Sequence, residues 1–363
     1  MGFKCGIVGL PNVGKSTIFN ALTTQQVDAS NYPFCTIEPN VGIIPLRDDR
    51  LSQVAELTGS RKTTPTTLEF VDIAGLVKGA SKGEGLGNQF LNHIQAVDAI
   101  AHVVRCFEDS NVAHTTSELN PVNDIEIINT ELILKDLEII ERRLEKSRKM
   151  ARTGDKEIKK EVTILEHIAQ QLNLNQQIKH MSLDEKERSI MSSLNLITTK
   201  PCFYIANIDE EHMQDNRYVN KLRDYTAEKG ELVVPFSGKV QAEISQLDDE
   251  SQEVFLKELG LEETGFDKIV RIGYKILDLI TFFTANENEA RAWTIPRNTL
   301  VHKAAGKIHT DFERGFIKAE VIKVADLIEY GSEHNLRDSG KIAIHGKDYI
   351  VEDGDLIYFR FNV

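Results

Sequence analysis

No stretch of this 363-residue chain approaches the roughly 20 consecutive apolar positions that a helix needs to cross a bilayer. Met1-Gly2-Phe3-Lys4 leads straight into a strand-like run. A soluble, cytoplasmic protein is therefore expected. Cysteine is scarce: Cys5, Cys35, Cys106 and Cys202 are scattered, none at C-x-x-C spacing, and three of them sit in apolar runs. The pattern speaks for reduced core thiols and against a disulfide framework or a zinc site. Positive charge is in deficit too, with a net charge of -13. A surface that binds nucleic acid everywhere is thereby excluded, and any such contact must be a local basic patch.

What is present is organised around Gly9-Leu10-Pro11-Asn12-Val13-Gly14-Lys15-Ser16, which satisfies G-x-x-x-x-G-K-[ST] in full. Phe3 to Val8 reads as a buried strand before it, and Thr17 to Leu22 begins a helix after it. In that context the amides from about Asn12 to Ser16 would turn toward phosphate oxygens, reinforced by the positive end of the helix. Lys15 is expected to neutralise the β and γ phosphates. Ser16 is expected to ligate a magnesium ion that bridges them.

Two further elements suit a switch that senses the terminal phosphate. Asn31 to Val41 is a proline-bounded extended segment in which Thr36 is the candidate second magnesium ligand. Thr67 to Ile73 reads as a strand ending in Asp72-Ile73-Ala74-Gly75, a D-x-x-G element. There Asp72 would hold magnesium through water and the Gly75 amide would contact the γ phosphate. Leu76 follows, where familiar GTPases keep a glutamine that orients the attacking water, so that group must come from elsewhere. His114, in the loop after the strand Ala99 to Phe107, is a candidate on its titration range, and a solvated loop histidine is the alternative. His93 is a weaker candidate, and His102 is expected to be buried in its strand.

The length predicts two or three domains. Between Asn123 and Lys200, Ile133, Leu137, Ile140 and Leu144, then Ile158, Val162, Leu165, Ala169 and Leu172, recur at helical spacing on either side of Thr153-Gly154-Asp155. Two such seams joined by a short turn predict an antiparallel coiled-coil hairpin. Around its tip Arg142, Arg143, Lys146, Arg148, Lys149, Arg152, Lys156, Lys159 and Lys160 face only Glu145, Asp155 and Glu157. An RNA- or ribosome-contacting arm would look like this, and so would a merely solvated hairpin.

The strand Pro201 to Ala206 runs into Asn207-Ile208-Asp209-Glu210. A guanine-specific site needs N-K-x-D, because the aspartate accepts two hydrogen bonds from guanine N1 and N2. Here Ile208 replaces the lysine and Glu210 the aspartate, which favours ATP over GTP. Asn207 could still bond the base, and Ile208 could offer backbone or apolar contact. Val233 to Lys239, with Ser237, reads as the last strand and the loop flanking the base. Gln246 to Glu263 is an acidic helical segment. From Thr281 short strand patterns at Ala292 to Ile295, Gly315 to Ile322 and Asp348 to Phe361 predict a separate small α+β domain.

With these motifs assembled, the chain resembles the YchF or Obg-like ATPase family from end to end. The resemblance rests on Gly9 to Thr17, Pro33 to Asn40, Asp72 to Ala80, Asn207 to Glu210 and Ala305-Gly306-Lys307-Ile308-His309-Thr310-Asp311-Phe312. It implies an α/β, Obg-type P-loop domain (residues 1–122 and 200–279), interrupted by a helical coiled-coil insertion (123–199) and followed by a ubiquitin-like (β-grasp) TGS domain (280–363). It also implies ATP hydrolysis in preference to GTP, and association with ribosomes. Phosphate contact falls on Asn12 to Thr17, magnesium ligation on Ser16 and Thr36, adenine contact on Ile208, and the family's catalytic histidine on His114.

The expectation is a monomeric, magnesium-dependent nucleotide hydrolase with potassium as a candidate second cation. Its partners would be ATP and ADP, less well GTP and GDP, together with the ribosome (large subunit or whole) and RNA. Its role would be that of a translation-linked or stress-linked switch. A GTPase translation factor and a non-enzymatic nucleotide-gated adaptor are the alternatives.

Overall fold

The computed structural model describes residues 3–24, 40–73, 93–109, 119–152, 154–210, 215–244 and 246–362. Thr36, Gly75, Leu76 and His114 lie outside the described residues, and so does Cys35.

Twelve strands among the described residues form two six-stranded sheets. The first has the order β2 (Val41–Pro45), β4 (Thr67–Asp72), β1 (Phe3–Val8), β5 (Ala99–Arg105), β6 (Cys202–Asn207) and β7 (Val233–Phe236). All its pairings are parallel except that of β2, the edge strand, with β4. Helices cover both faces of a parallel sheet, so its strands read as continuous apolar runs. β5, Ala-Ile-Ala-His-Val-Val-Arg, is buried at every position. Helix α1 (Lys15–Thr24) packs on this sheet through Ile18, Phe19 and Leu22, and the helix Gly265–Ile276 through Phe266, Ile269 and Val270. Because the strands are parallel, the loops after β1, β4, β5, β6 and β7 all leave from the carboxyl edge, where open α/β sheets bind ligands.

Between β5 and β6 the chain leaves the sheet and returns through the helices Pro121–Ala151 and Lys156–Asn173. They pack through Ile133, Leu137, Ile140 and Leu144 against Leu165, Ile168 and Leu172. The turn between them contains Gly154 at φ 92°, and Asp155 caps the second helix, its carboxylate accepting from the Glu157 amide at 2.8 Å. Asp136, buried on the first helix, accepts from the amides of Ile197 (2.8 Å) and Thr198 (2.7 Å), which ties the root of the pair to the segment entering β6.

The second sheet has the order β11 (Ala343–His345), β10 (Phe316–Lys323), β12 (Asp355–Phe361), β8 (Leu279–Ala285), β9 (Ala290–Pro296) and β3 (Thr63–Thr64). Adjacent residues of a strand face opposite ways, and here they enter different cores. Phe282, Ile295, Val321 and Ile357 pack with Val301, Ala304 and Ala305 of the helix Val301–Ile308. Their neighbours Phe283, Ile322 and Leu356 pack with Leu51, Val54 and Ala55 of helix α2 (Asp49–Thr58). So α2 and β3, although they lie within residues 1–122, cover one face and one edge of the sheet built by residues 279–361. Burying Leu51 and Val54 contributes about 1.5–3 kcal/mol each. Arg50 reinforces the attachment, bonding Asp48 and Asp353 at 2.7 Å each and lying over the Phe283 ring at 5.4 Å.

One strand expectation is corrected. Asp348 to Val351 contributes only an isolated bridge, Leu300 with Ile350. The Tyr349 hydroxyl donates to the fully buried Asp355 at 2.8 Å, and Lys323 closes on the same carboxylate at 2.6 Å, which fixes a turn instead of a ladder.

His102 is 2% exposed in β5, as expected of it. Burial first, and the Lys179 ammonium second, push its imidazole down to about 3 from 6.5. The unfolded chain takes up this proton before the folded one does. Stability is therefore whole above pH 6.5 and is lost as pH falls toward 3. In His102→Gln the melting temperature should fall less steeply in the upper half of that window, before carboxylates titrate. An unchanged slope would contradict this assignment.

Candidate nucleotide site

The chain leaves β1 through Gly9, where a Cβ would meet the Val103 carbonyl oxygen at 2.8 Å. Asn12 and Gly14 then take left-handed backbone, φ 63° and 90°, and turn the chain so that α1 opens at Lys15. The Ile18 amide donates to the Gly14 carbonyl at 3.0 Å, closing the first turn. No acidic side chain lies in that turn to compete for the positive helix end. Val13 is 1% exposed in the core, so among its groups only the main chain is available to a phosphate. Ser16 and Thr17 are exposed. Lys15 is buried and forms an ion pair with Asp72 at the carboxyl end of β4.

The other side of the site is built by the ends of β6 and β7. Asn207, buried at the end of β6, donates from Nδ2 to the Val13 carbonyl at 2.9 Å. A Cβ on Gly14 would stand 2.1 Å from that nitrogen, so the two loops touch where only glycine fits. On the β7 side, a Cβ on Gly238 would stand 3.2 Å from the Thr17 methyl. The residues expected from sequence therefore converge: Asn12 to Thr17, Asp72, Asn207 and the Ser237 loop share one edge of the first sheet.

Three expectations change in detail. The apolar contact foreseen for Ile208 is taken up by the protein: its side chain packs with Val104, Cys106, Ile125, Val219 and Leu222, and its amide donates to the Phe236 carbonyl at 3.0 Å. Ser237 is 4% exposed, and its hydroxyl lies 3.5 Å from the Val240 amide at the start of the helix Gly238–Ile244. Glu210 pairs with Lys239 at 2.8 Å.

At the helix tip the basic patch is smaller than the sequence count. Arg142 pairs with Glu138, Arg143 with Glu161 at 2.6 Å and Arg148 with Glu166 at 2.6 Å. Glu161 and Glu166 come from the returning helix, beyond the tip. Lys146, Lys149, Arg152 and Lys156 are exposed, with no ion pair to a described residue.

Two features were missing from the sequence reading. The pairing of Lys239, within the stretch expected to flank the base, with Glu210 is one. Arg105, 3% exposed at the end of β5, is the other; it donates to the carbonyls of Phe107 and Asp109 at 3.1 Å each and so fixes the chain directly after β5. An arginine closing an apolar strand was the available signal.

Comparison with known proteins agrees with this geometry. Residues 4–137 match a family model described as 50S ribosome-binding GTPase, and residues 279–362 match a C-terminal YchF-GTPase model described as a protein of unknown function. The chain is 52% identical over 363 residues to the ribosome-binding ATPase YchF of Escherichia coli, with all of both chains covered. The chain belongs to the YchF family. The YchF relative from Bacillus subtilis, also named a ribosome-binding ATPase, is 46% identical over 366 residues, again with both chains covered in full. The solved structure of a Schizosaccharomyces pombe YchF, described as a GTPase, is 38% identical, with a TM-score of 0.90 over 99% of this chain and 98% of that one. The P-loop α/β fold is thus the fold of YchF structures.

Gly14→Ala tests the contact between the loops. It combines a left-handed backbone, which costs a side chain about 1–2 kcal/mol, with the clash against Asn207. ADP affinity should fall at least about tenfold, or 1.4 kcal/mol. Gly154→Ala, also left-handed but with nothing within 4 Å, should leave ADP affinity unchanged. ADP binding by Gly14→Ala as tight as wild type would sink the reading.

Proposed function

We propose that this YchF protein is a magnesium-dependent ATP hydrolase that acts as a switch on the ribosome. The observation that carries the reading is the preassembled phosphate cradle, in which Lys15 stands against Asp72 behind a loop that only Gly14 and Asn207 together allow. In the nucleotide-bound protein Lys15 exchanges Asp72 for the β and γ phosphates, and the amides of Val13 to Thr17 surround the phosphate oxygens. Ser16 and Thr36 are the proposed magnesium ligands, with Asp72 behind a water and potassium as a second cation. The donor set fits, since hydroxyl and carboxylate oxygens are what this hard cation takes. When bound, magnesium supplies charge neutralisation between the phosphates.

Catalysis then rests mainly on positioning and electrostatics. Leu76 leaves the attacking water without a glutamine, and His114 is the residue proposed to orient it. The Arg105 bonds to Phe107 and Asp109 fix the chain directly after β5, a few residues before His114 in the sequence.

The base is adenine in this reading. Asn207 faces it, the main chain of Ile208 borders it, and the Ser237 loop flanks it. The names of the bacterial relatives support ATP and the ribosome as substrate and partner. The domains proposed are an Obg-type nucleotide domain (1–122 and 200–279), a coiled-coil insertion (123–199) and a β-grasp TGS domain (280–363). The exposed Lys146, Lys149, Arg152 and Lys156 are the proposed RNA contacts at the tip. The molecule acts as a monomer in the cytoplasm; no described helix is long and apolar enough to cross a membrane.

Lys15→Ala should reduce single-turnover ATP hydrolysis by at least about a hundredfold, the scale of losing a transition-state charge contact, with the melting transition retained. Hydrolysis that survives in this variant would refute the assignment. Reversing Lys146, Lys149 and Arg152 to Glu should weaken co-sedimentation with ribosomes and flatten its salt dependence, since each phosphate contact adds about 0.7–0.9 to the slope. Unaltered ribosome binding would exclude the tip as the contact.

A further inference from the structure

We infer that Lys239 sets the purine preference of the site, by pairing with Glu210 and so converting an acceptor-only carboxylate into a joined donor and acceptor. The inference rests on the adenine reading above and supplies its physical cause.

Glu210 stands three residues after Asn207, where a guanine-reading N-K-x-D site carries its aspartate. A carboxylate is therefore still present there, one methylene longer, and its presence alone does not explain a loss of guanine recognition. The structure adds the partner. β6 and β7 run parallel with Asn207 opposite Phe236, and the chain leaves their carboxyl ends side by side, with Glu210 in the loop after β6 and Lys239 in the first turn of the helix Gly238–Ile244 after β7. Lys239 Nζ lies 2.8 Å from Glu210 Oε1. The hydrogen bond to Glu210 raises the lysine's pKa, with a further contribution from Glu243 on the same helix, so the ammonium is charged at neutral pH.

Guanine presents two donors, N1–H and the N2 amino group, and both need acceptors. A free carboxylate offers only acceptors and answers both. The ammonium occupies one carboxylate oxygen, cancels the charge and turns donors toward the same region. Adenine presents an acceptor at N1 and a donor at N6, so a site carrying one donor and one acceptor answers it. The same pair rejects guanine, because one guanine donor then meets an ammonium.

Both side chains are accessible, 74% for Lys239 and 39% for Glu210, so replacing either leaves no cavity. Neither takes part in the Asn207 bond to Val13 or the close approach at Gly14. Exposure also bounds the effect, since exposed ion pairs are weak and salt-screened.

The test is titration of the full-length chain with fluorescent ADP and GDP in magnesium, for wild type, Lys239→Met, Glu210→Gln and the double variant. Wild type should bind ADP more tightly. Lys239→Met keeps the apolar stem and should raise the GDP-to-ADP affinity ratio about two- to fivefold, the range open to an exposed pair. Adding Glu210→Gln should remove most of that gain, because the freed carboxylate is then gone, and about 0.5 M salt should diminish it. A ratio unchanged in Lys239→Met, or a gain that persists in the double variant, overturns the inference while leaving the adenine preference standing. A wild-type preference for GDP contradicts the adenine assignment itself, and the inference with it.

Discussion

The nucleotide site depends on one close approach, the Asn207 amide bonded to the Val13 carbonyl across a position that has no room for a Cβ. Everything functional at the sheet edge is referred to it. On one side it fixes the loop whose left-handed residues aim the amides and start α1 at Lys15. On the other it fixes the end of β6, from which Ile208 turns inward to the core and Glu210 turns outward to Lys239. A loop held in this way has already lost the conformational entropy that a phosphate would otherwise have to remove on binding. The Lys15 pair with Asp72 is part of the same arrangement: it keeps a buried cation partnered.

The two sheets are mechanically joined by a short piece of chain downstream of the segment that contains Thr36. β2 belongs to the first sheet, while α2 and β3, which follow it, belong to the second. Thr66, just after β3, completes the junction through a hydroxyl cluster with Thr294 of β9 and Tyr274 of the helix Gly265–Ile276. Packing of apolar residues and these hydroxyl contacts tie the two sheets together.

Much of this was legible in the sequence because it is local. The phosphate loop, the flanking strand and helix, the parallel strands ending at Asp72 and Asn207, and the helix break around Gly154 each follow from residue type and spacing within a few positions. What was not legible depends on contacts far apart in the chain. The arginines of the tip looked uncompensated because Glu161 and Glu166 return on the second helix. Ile208 looked available to a base because nothing in its neighbours announces the cluster with Val104 and Leu222. α2 looked like part of the nucleotide domain because its amphipathic face does not say which sheet it will cover. Asp348 to Val351 looked like a strand because Asp355, the buried carboxylate that folds it into a turn, exerts its effect only once Lys323 is beside it.

The central claim is that the phosphate loop and the base loop form one ordered unit before any nucleotide binds, and hydrogen exchange on the nucleotide-free protein tests it most directly. The amides of Ile18 and Ile208, bonded to Gly14 and Phe236 at 3.0 Å each, report the two loops. The account predicts that both exchange as slowly as the central strand β1, with little further slowing when ADP is added. Exchange of both at the rate of unstructured peptide until nucleotide arrives would show that the ligand builds the site, and would contradict it.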